Sequence, residues 1–145
     1  MNKTLFILQG CAGSGKTTLA KKMVAEGKAE GYAEADTWMT NEKGDYCFDP
    51  QKLGYCHKMC HDLVELAMLG ERNFIQANTN LRRRDVNTYI NLAEKYNYKV
   101  VIIKLNSFFG SIHSVAPDKI AAMKSQMDSF DWNNLPDFVT VEEYP

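Results

Sequence analysis

Residues 10–17 read Gly-Cys-Ala-Gly-Ser-Gly-Lys-Thr, which fits Gly-x-x-x-x-Gly-Lys-Ser/Thr in full. An apolar run, Thr4 to Gln9, precedes the pattern, and a helical stretch, Lys16 to Glu26, follows it. Strand, glycine-rich loop and helix in that order leave few folds open. The glycines let backbone N–H groups turn inward without side-chain bulk, and the helix directs its positive end at the same point. Such a loop holds phosphate. Lys16 has the reach to meet the β- and γ-phosphates of a nucleoside triphosphate, and the Thr17 hydroxyl suits Mg²⁺. The expected binding residues are Gly10, Cys11, Ala12, Gly13, Ser14, Gly15, Lys16, Thr17 and Thr18, with ATP and Mg²⁺ as cofactors. Cys11 is most simply a small filler of the loop.

The remainder of the chain alternates apolar runs with helical patterns, which implies a parallel sheet covered by helices. Tyr32 to Asp36 reads as a short second strand, and the polar stretch Thr37 to Asp49 as a loop. Pro50 to Leu69 is helical in spacing, with Gly70 as its stop. Asn73 to Ala77 is a third strand, Arg84 to Tyr96 an amphipathic helix, and Lys99 to Leu105 a β-branched strand. A last helix spans Asp118 to Phe130 and a last short strand Phe138 to Val141. The expected fold is α/β, a three-layer P-loop domain with a small parallel sheet of four to five strands. With 145 residues, it reads as one domain, 1–145.

Composition narrows the partners. Lys plus Arg is 17 and Asp plus Glu is 18, so no global basic field draws nucleic acid, and any such binding is local. Four cysteines without a secretory pattern, and no apolar run of membrane-spanning length, lead us to expect a cytoplasmic protein without a membrane partner. We expect the residues after Met1 to enter the first strand rather than to form a signal peptide.

Three further segments bear on function: Ala35-Asp36-Thr37-Trp38; Phe48-Asp49 followed by Cys56-His57 and Cys60; and Asn78-Thr79-Asn80-Leu81. Together with Gly10 to Thr18, they resemble the polynucleotide-kinase family of P-loop kinases, which includes the phage 5′-hydroxyl kinases. The stretch Asn78 to Tyr98 is similar to that family's segment after the third strand. His113, Val115, Ile120 and Met123 keep the spacing of its closing segment. The resemblance implies a phosphotransferase acting on a polynucleotide 5′-hydroxyl or a nucleotide-like acceptor. It also implies that Asp36 is the general base. A carboxylate beside the phosphates can take the acceptor's proton, and Asp36 can also touch Mg²⁺ directly or through water. The alternative for Asp36 is a loop cap at the strand end.

Two departures from the family stand out. The third strand, Phe74-Ile75-Gln76-Ala77-Asn78, carries no acid where parts of the family have Asp at position 77 or 78. The stretch Asn106 to Pro117, where the family carries lid arginines, has neither Arg nor Lys. The run Arg82-Arg83-Arg84 is the candidate substitute and the third element of the expected catalytic set, with Lys16 and Asp36. Three cations at a helix start oppose the macrodipole, so they are either functional or a solvated face. A kinase of small molecules or nucleotides, and a non-catalytic ATP-binding effector or regulator, stay open as alternatives.

Other residues have plainer readings. Cys56, His57, Cys60 and His61 have the i, i+4 spacing of a zinc site, but Cys56 and Cys60 fall on the apolar stripe of a helix. His113 either meets a phosphate or fixes its loop. Trp38, Tyr46, Phe48 and Tyr55 either stack on a base or cover a small core.

Overall fold

The structure, a computed structural model, describes residues 3–107 and 116–145. Five parallel strands form one sheet. They are β1 (Thr4–Gln9), β2 (Tyr32–Ala33), β3 (Phe74–Gln76), β4 (Lys99–Leu105) and β5 (Val139–Tyr144), in the spatial order β2-β3-β1-β4-β5. The register pairs Ile7 of β1 with both Gln76 of β3 and Ile102 of β4. Among the described residues, four α-helices connect the strands: α1 (Lys16–Ala25), α2 (Leu53–Leu69), α3 (Arg83–Lys95) and α4 (Pro117–Asp128). This is the expected α/β architecture. Among the described residues no helix is long and apolar enough to cross a membrane.

The alternation of side chains along each strand builds two cores. Leu5, Ile7, Val100 and Ile102 join Cys56, Cys60 and Val64 of α2 and Val86, Tyr89, Ile90 and Ala93 of α3. Leu8, Ile75, Ile103 and Leu105 pack on Leu19, Ala20 and Met23 of α1. Both faces of the central strands are therefore covered, which is why they read as near-continuous apolar runs. A third, smaller cluster joins Met127 of α4 to Cys11 of the phosphate loop and to Leu81. Helix α4 thus lies against the carboxyl edge of the sheet, where ligands of such folds sit.

Several boundaries differ from expectation. β2 has only two residues, and Asp36 falls beyond it in a 3-10 turn, Ala35–Trp38. Pro50 begins a 3-10 turn, Pro50–Lys52, because its ring fits a helix start but not an interior, and α2 follows at Leu53. Gly70 closes α2 as expected, but the left-handed residue is Glu71, with φ 57°. β5 runs past Val141 to Tyr144; most of its side chains are exposed, so no apolar pattern marks it.

Candidate functional site

The phosphate loop takes the shape its glycines allow. Gly13 and Gly15 have φ of 82° and 92°, in the region that disfavours a Cβ. A Cβ on Gly10 would crowd the Ser14 side chain, so a bare position here suits the tight loop. Ser14 is buried and its hydroxyl has no hydrogen-bond partner. A buried, unpartnered donor inside a loop of this shape fits a bound phosphate. Ala12 and Gly13 are half-buried, whereas Thr18 is exposed on α1.

Lys16 turns back on its own loop. Its ammonium donates to the carbonyls of Gly10 and Cys11 at 3.0 and 2.9 Å. Burial pulls its pKa from 10.5 down to about 8, against the opposing fields of Cys11, Glu34 and Asp36. The lysine is thus a poorly solvated cation with only carbonyl oxygens as hydrogen-bond acceptors. An anion entering the loop would relieve it. The Cys11 thiol is pushed up by burial, with Lys16 and Lys124 of α4 acting in the opposite direction.

Beside the loop, Thr17 Oγ1 donates to Glu34 Oε2 at 2.9 Å. Glu34 directly follows β2, and its role escaped the sequence reading. The turn after it is fixed by Asn78 at the end of β3: the Ala35 N–H donates to Asn78 Oδ1 at 2.7 Å. The Asn78 side-chain amide reaches Cys60 Sγ at 3.5 Å. The position where an acid was missed therefore holds an amide that ties β3 to the segment carrying Glu34 and Asp36. Asp36 itself is exposed at the start of the 3-10 turn. Its negative charge is felt at Lys16, at Tyr46 and at Cys56. Tyr46 and Cys56 are each raised chiefly by burial, with Asp36 adding in the same direction.

A buried polar network underlies this edge. Gln76 Nε2 donates to Asn80 Oδ1 at 2.8 Å, and Asn80 Nδ2 donates to Gln76 Oε1 at 2.7 Å and to the Leu8 carbonyl. Gln9 Nε2 donates to the Asn80 carbonyl at 3.1 Å, and the Gly10 N–H to the Thr79 carbonyl at 3.1 Å. Asn80 has φ 53°, a conformation that asparagine tolerates better than most residues. The network locks the start of the phosphate loop to the end of β3.

The arginine run divides. Arg83 does not supply a free cation at the phosphates, and here the structure corrects the expectation. Its guanidinium donates to Asn87 Oδ1 and to the carbonyls of Asp131, Asn133 and Asn134, at 2.7 to 3.3 Å. It clamps α3 to the segment after α4. Arg84 is 72% exposed and lies 3.9 Å from Asp85, an ion pair worth little at a surface. Arg82 precedes α3 in an extended conformation, without a side-chain cap, and lines a cavity of about 280 Å³ with Thr79, Asp85, Lys119 and Met123. A second cavity, about 260 Å³, is lined by Cys11, Lys104, Lys124 and Asp128. Lys119 also lies 4.9 Å above the Phe48 ring. Cations on α4 therefore stand at this edge, a feature hidden in sequence because they follow the stretch Asn106 to Pro117. His113 and Val115 lie outside the described residues.

The remaining candidates are placed as follows. Cys56 and Cys60 are fully buried in the core, His57 is exposed, and His61 packs on Tyr89 with ring centres 5.8 Å apart. Among the described residues no group of three or more His, Cys, Asp or Glu is arranged to hold a metal. Trp38 packs against the core, whereas Tyr46, Phe48 and Tyr55 are exposed.

Comparison with known proteins bears on the fold and the family. Human NEDD4-binding protein 2 is 26% identical over 136 residues, a match covering 87% of this chain and 8% of that protein. The 2′,3′-cyclic-nucleotide 3′-phosphodiesterase of Rattus norvegicus is 30% identical over 110 residues, covering 70% and 24%. The chain thus spans a quarter or less of the length of these curated relatives. Among solved structures, a chain of the Pnkp1/Rnl/Hen1 RNA repair complex matches with a TM-score of 0.71 at 19% identity, covering 93% of this chain and 48% of that one. Kti12 of Chaetomium thermophilum, in complex with ADP-AlF3, matches with a TM-score of 0.67 at 10% identity, covering 97% and 89%. A family model described as an AAA domain matches residues 5–107, from β1 through the end of β4. With the phosphate loop and the parallel sheet inside that span, the chain belongs to the AAA domain family and is a P-loop kinase-like domain.

Proposed function

We propose that this chain is an ATP-dependent phosphotransferase acting on a hydroxyl acceptor, a polynucleotide 5′-hydroxyl or a nucleotide-like compound. The reading is supported by a complete phosphate loop and by an acid, Asp36, on the turn after β2 that Asn78 holds, with its carboxylate charge felt at Lys16. Lys16 would leave the Gly10 and Cys11 carbonyls for the β- and γ-phosphates. Thr17 and Glu34 offer oxygen donors of the type that suits a hard divalent cation. When bound, Mg²⁺ neutralises charge on the phosphates. Asp36 takes the proton of the attacking hydroxyl as its oxygen bonds to the γ-phosphorus. The bond from that phosphorus to the β–γ bridging oxygen breaks, and ADP leaves. Arg82 at the start of α3, and Lys119 and Lys124 on α4, are the cations best placed to attract the acceptor or the transferring group.

The single sheet formed by the described residues supports reading 1–145 as one domain. The ADP-AlF3 carried by a structural neighbour, and the RNA repair complex to which another belongs, support nucleotide and nucleic acid as the ligand classes. A cytoplasmic setting is part of the same proposal. A second reading, a non-catalytic ATP-binding module, is favoured by the stretch Asn106 to Pro117, which lacks any cation. An acceptor screen with γ-labelled ATP separates the readings. Label in 5′-hydroxyl oligonucleotides but not in 5′-phosphorylated ones supports the polynucleotide version. Label in nucleosides or small hydroxyl compounds supports the broader kinase. Label in no acceptor, with ATP bound, overturns the enzyme.

A further inference from the structure

A cation that accompanies a triphosphate is commonly held by the phosphate-loop hydroxyl and by an acid from a neighbouring strand. Here β3 ends at Gln76, and neither it nor the following Ala77 and Asn78 offers an acid. A different strand brings one to the same place. Glu34 follows β2 and accepts the Thr17 hydroxyl proton at 2.9 Å. A hydroxyl has one proton and two lone pairs. With the proton committed to Glu34, Thr17 has its lone pairs to offer a cation. Glu34 is half-buried, and the backbone on its far side is pinned where Ala35 N–H meets Asn78 Oδ1. Its charge also reaches Lys16, so it lies within the field of the phosphate site. Among the described residues no cluster could hold a metal unaided, so an ion at this position would have to arrive with phosphate oxygens.

We propose that Glu34 is the carboxylate that positions the divalent cation of the bound nucleotide. It orients Thr17 and supplies the negative charge that β3 lacks. Asp36, two residues on, is thereby left for the acceptor's proton. This inference rests on the nucleotide-binding reading above. It makes Glu34 a positioning residue, whose effect appears in metal-dependent binding before any turnover.

Calorimetry of ADP binding to the full chain, with EDTA and then with excess MgCl₂, tests it in wild type, Glu34→Gln and Glu34→Asp. In wild type, Mg²⁺ should tighten ADP binding. In Glu34→Gln that gain should shrink by about 10-fold or more, the usual effect of losing a group that orients a metal ligand. With EDTA, the same variant should bind ADP as tightly as wild type or more tightly, because a negative charge beside the phosphates is gone. A purely structural Glu34 would weaken both conditions alike. If Glu34→Gln fails to fold on a thermal scan, Glu34→Asp decides, since it keeps the charge but shortens the reach to Thr17; its Mg²⁺ gain should fall several-fold. An undiminished Mg²⁺ gain in the folded variant overturns the role of Glu34 while leaving the nucleotide reading intact. A wild-type protein that binds no ADP in either buffer overturns both.

Discussion

Replacing Lys16 with methionine should stabilise the nucleotide-free protein while destroying its ligand site. Methionine keeps most of the aliphatic stem and discards the charge. Folding lowers the lysine's pKa from 10.5 to about 8, mainly through burial. That difference corresponds to about 3 kcal/mol disfavouring the charged form in the folded state. The variant loses the hydrogen bonds to the Gly10 and Cys11 carbonyls, which offsets about 1 kcal/mol of the gain. The net expectation at pH 7 is about 2 kcal/mol of added stability, or a Tm higher by about 6 °C for a chain of this size. Urea and thermal unfolding, without nucleotide and with EDTA present, read it directly. The pH dependence adds a second check. The unfolded chain binds more protons than the folded one between about pH 8 and 10.5, so wild-type stability should rise with pH across that window. The advantage of the variant should shrink correspondingly. Added ATP should stabilise wild type and leave Lys16→Met unchanged. A variant less stable than wild type at pH 7, or a difference that does not vary with pH, would refute the reasoning: the carbonyl contacts would then outweigh desolvation.

Other substitutions separate the roles around the loop. Asp36→Asn should leave ATP affinity within a few-fold of wild type and lower kcat by about 100-fold or more, as loss of a general base does; calorimetry and steady-state kinetics check it. Asn78→Ala should remove the acceptor for the Ala35 N–H and cost about 1–2 kcal/mol in urea unfolding, with a drop in kcat because Glu34 and Asp36 lose their common anchor. Arg83→Ala should lower stability by about 1–3 kcal/mol through the lost clamp on residues 131–134, with kcat retained. Arg82→Ala should show the reverse pattern, a changed acceptor KM or kcat with little loss of stability.

The parts of this fold that could be read from sequence are those with local signatures. The phosphate loop has a fixed spacing, and β1 and β4 are apolar runs buried on both faces. Helix α3 shows its apolar stripe in Val86, Tyr89 and Ile90, and α2 shows part of its own in Cys56, Cys60 and Ala67, although Leu53 and Leu66, which share that spacing, are exposed. What escaped reading depends on contacts between distant segments. Glu34 matters because β2 brings it to Thr17, 17 residues earlier in the chain; the available signal was an acid at a strand end two residues before Asp36. Arg83 resembles its neighbours Arg82 and Arg84 until the segment after α4, about 50 residues on, captures it. Gln9 and Gln76 look like interruptions of apolar strands and Asn80 like an ordinary loop residue, and their mutual hydrogen bonds explain all three. Lys119 and Lys124 reach the site because α4 packs Met127 on Cys11 and Leu81, a contact that no periodicity announces.

The central claim is that the γ-phosphate of ATP, held at Lys16, passes to a hydroxyl whose proton goes to Asp36. Single-turnover incubation with γ-labelled ATP, Mg²⁺ and a 5′-hydroxyl oligonucleotide or nucleoside tests it directly, with wild type beside Asp36→Asn. Label on the acceptor oxygen in wild type, and its loss in an Asp36→Asn protein that still binds ATP, is the expected result. Equal labelling by the two proteins, or an ATP-bound wild type that labels no acceptor, would contradict it.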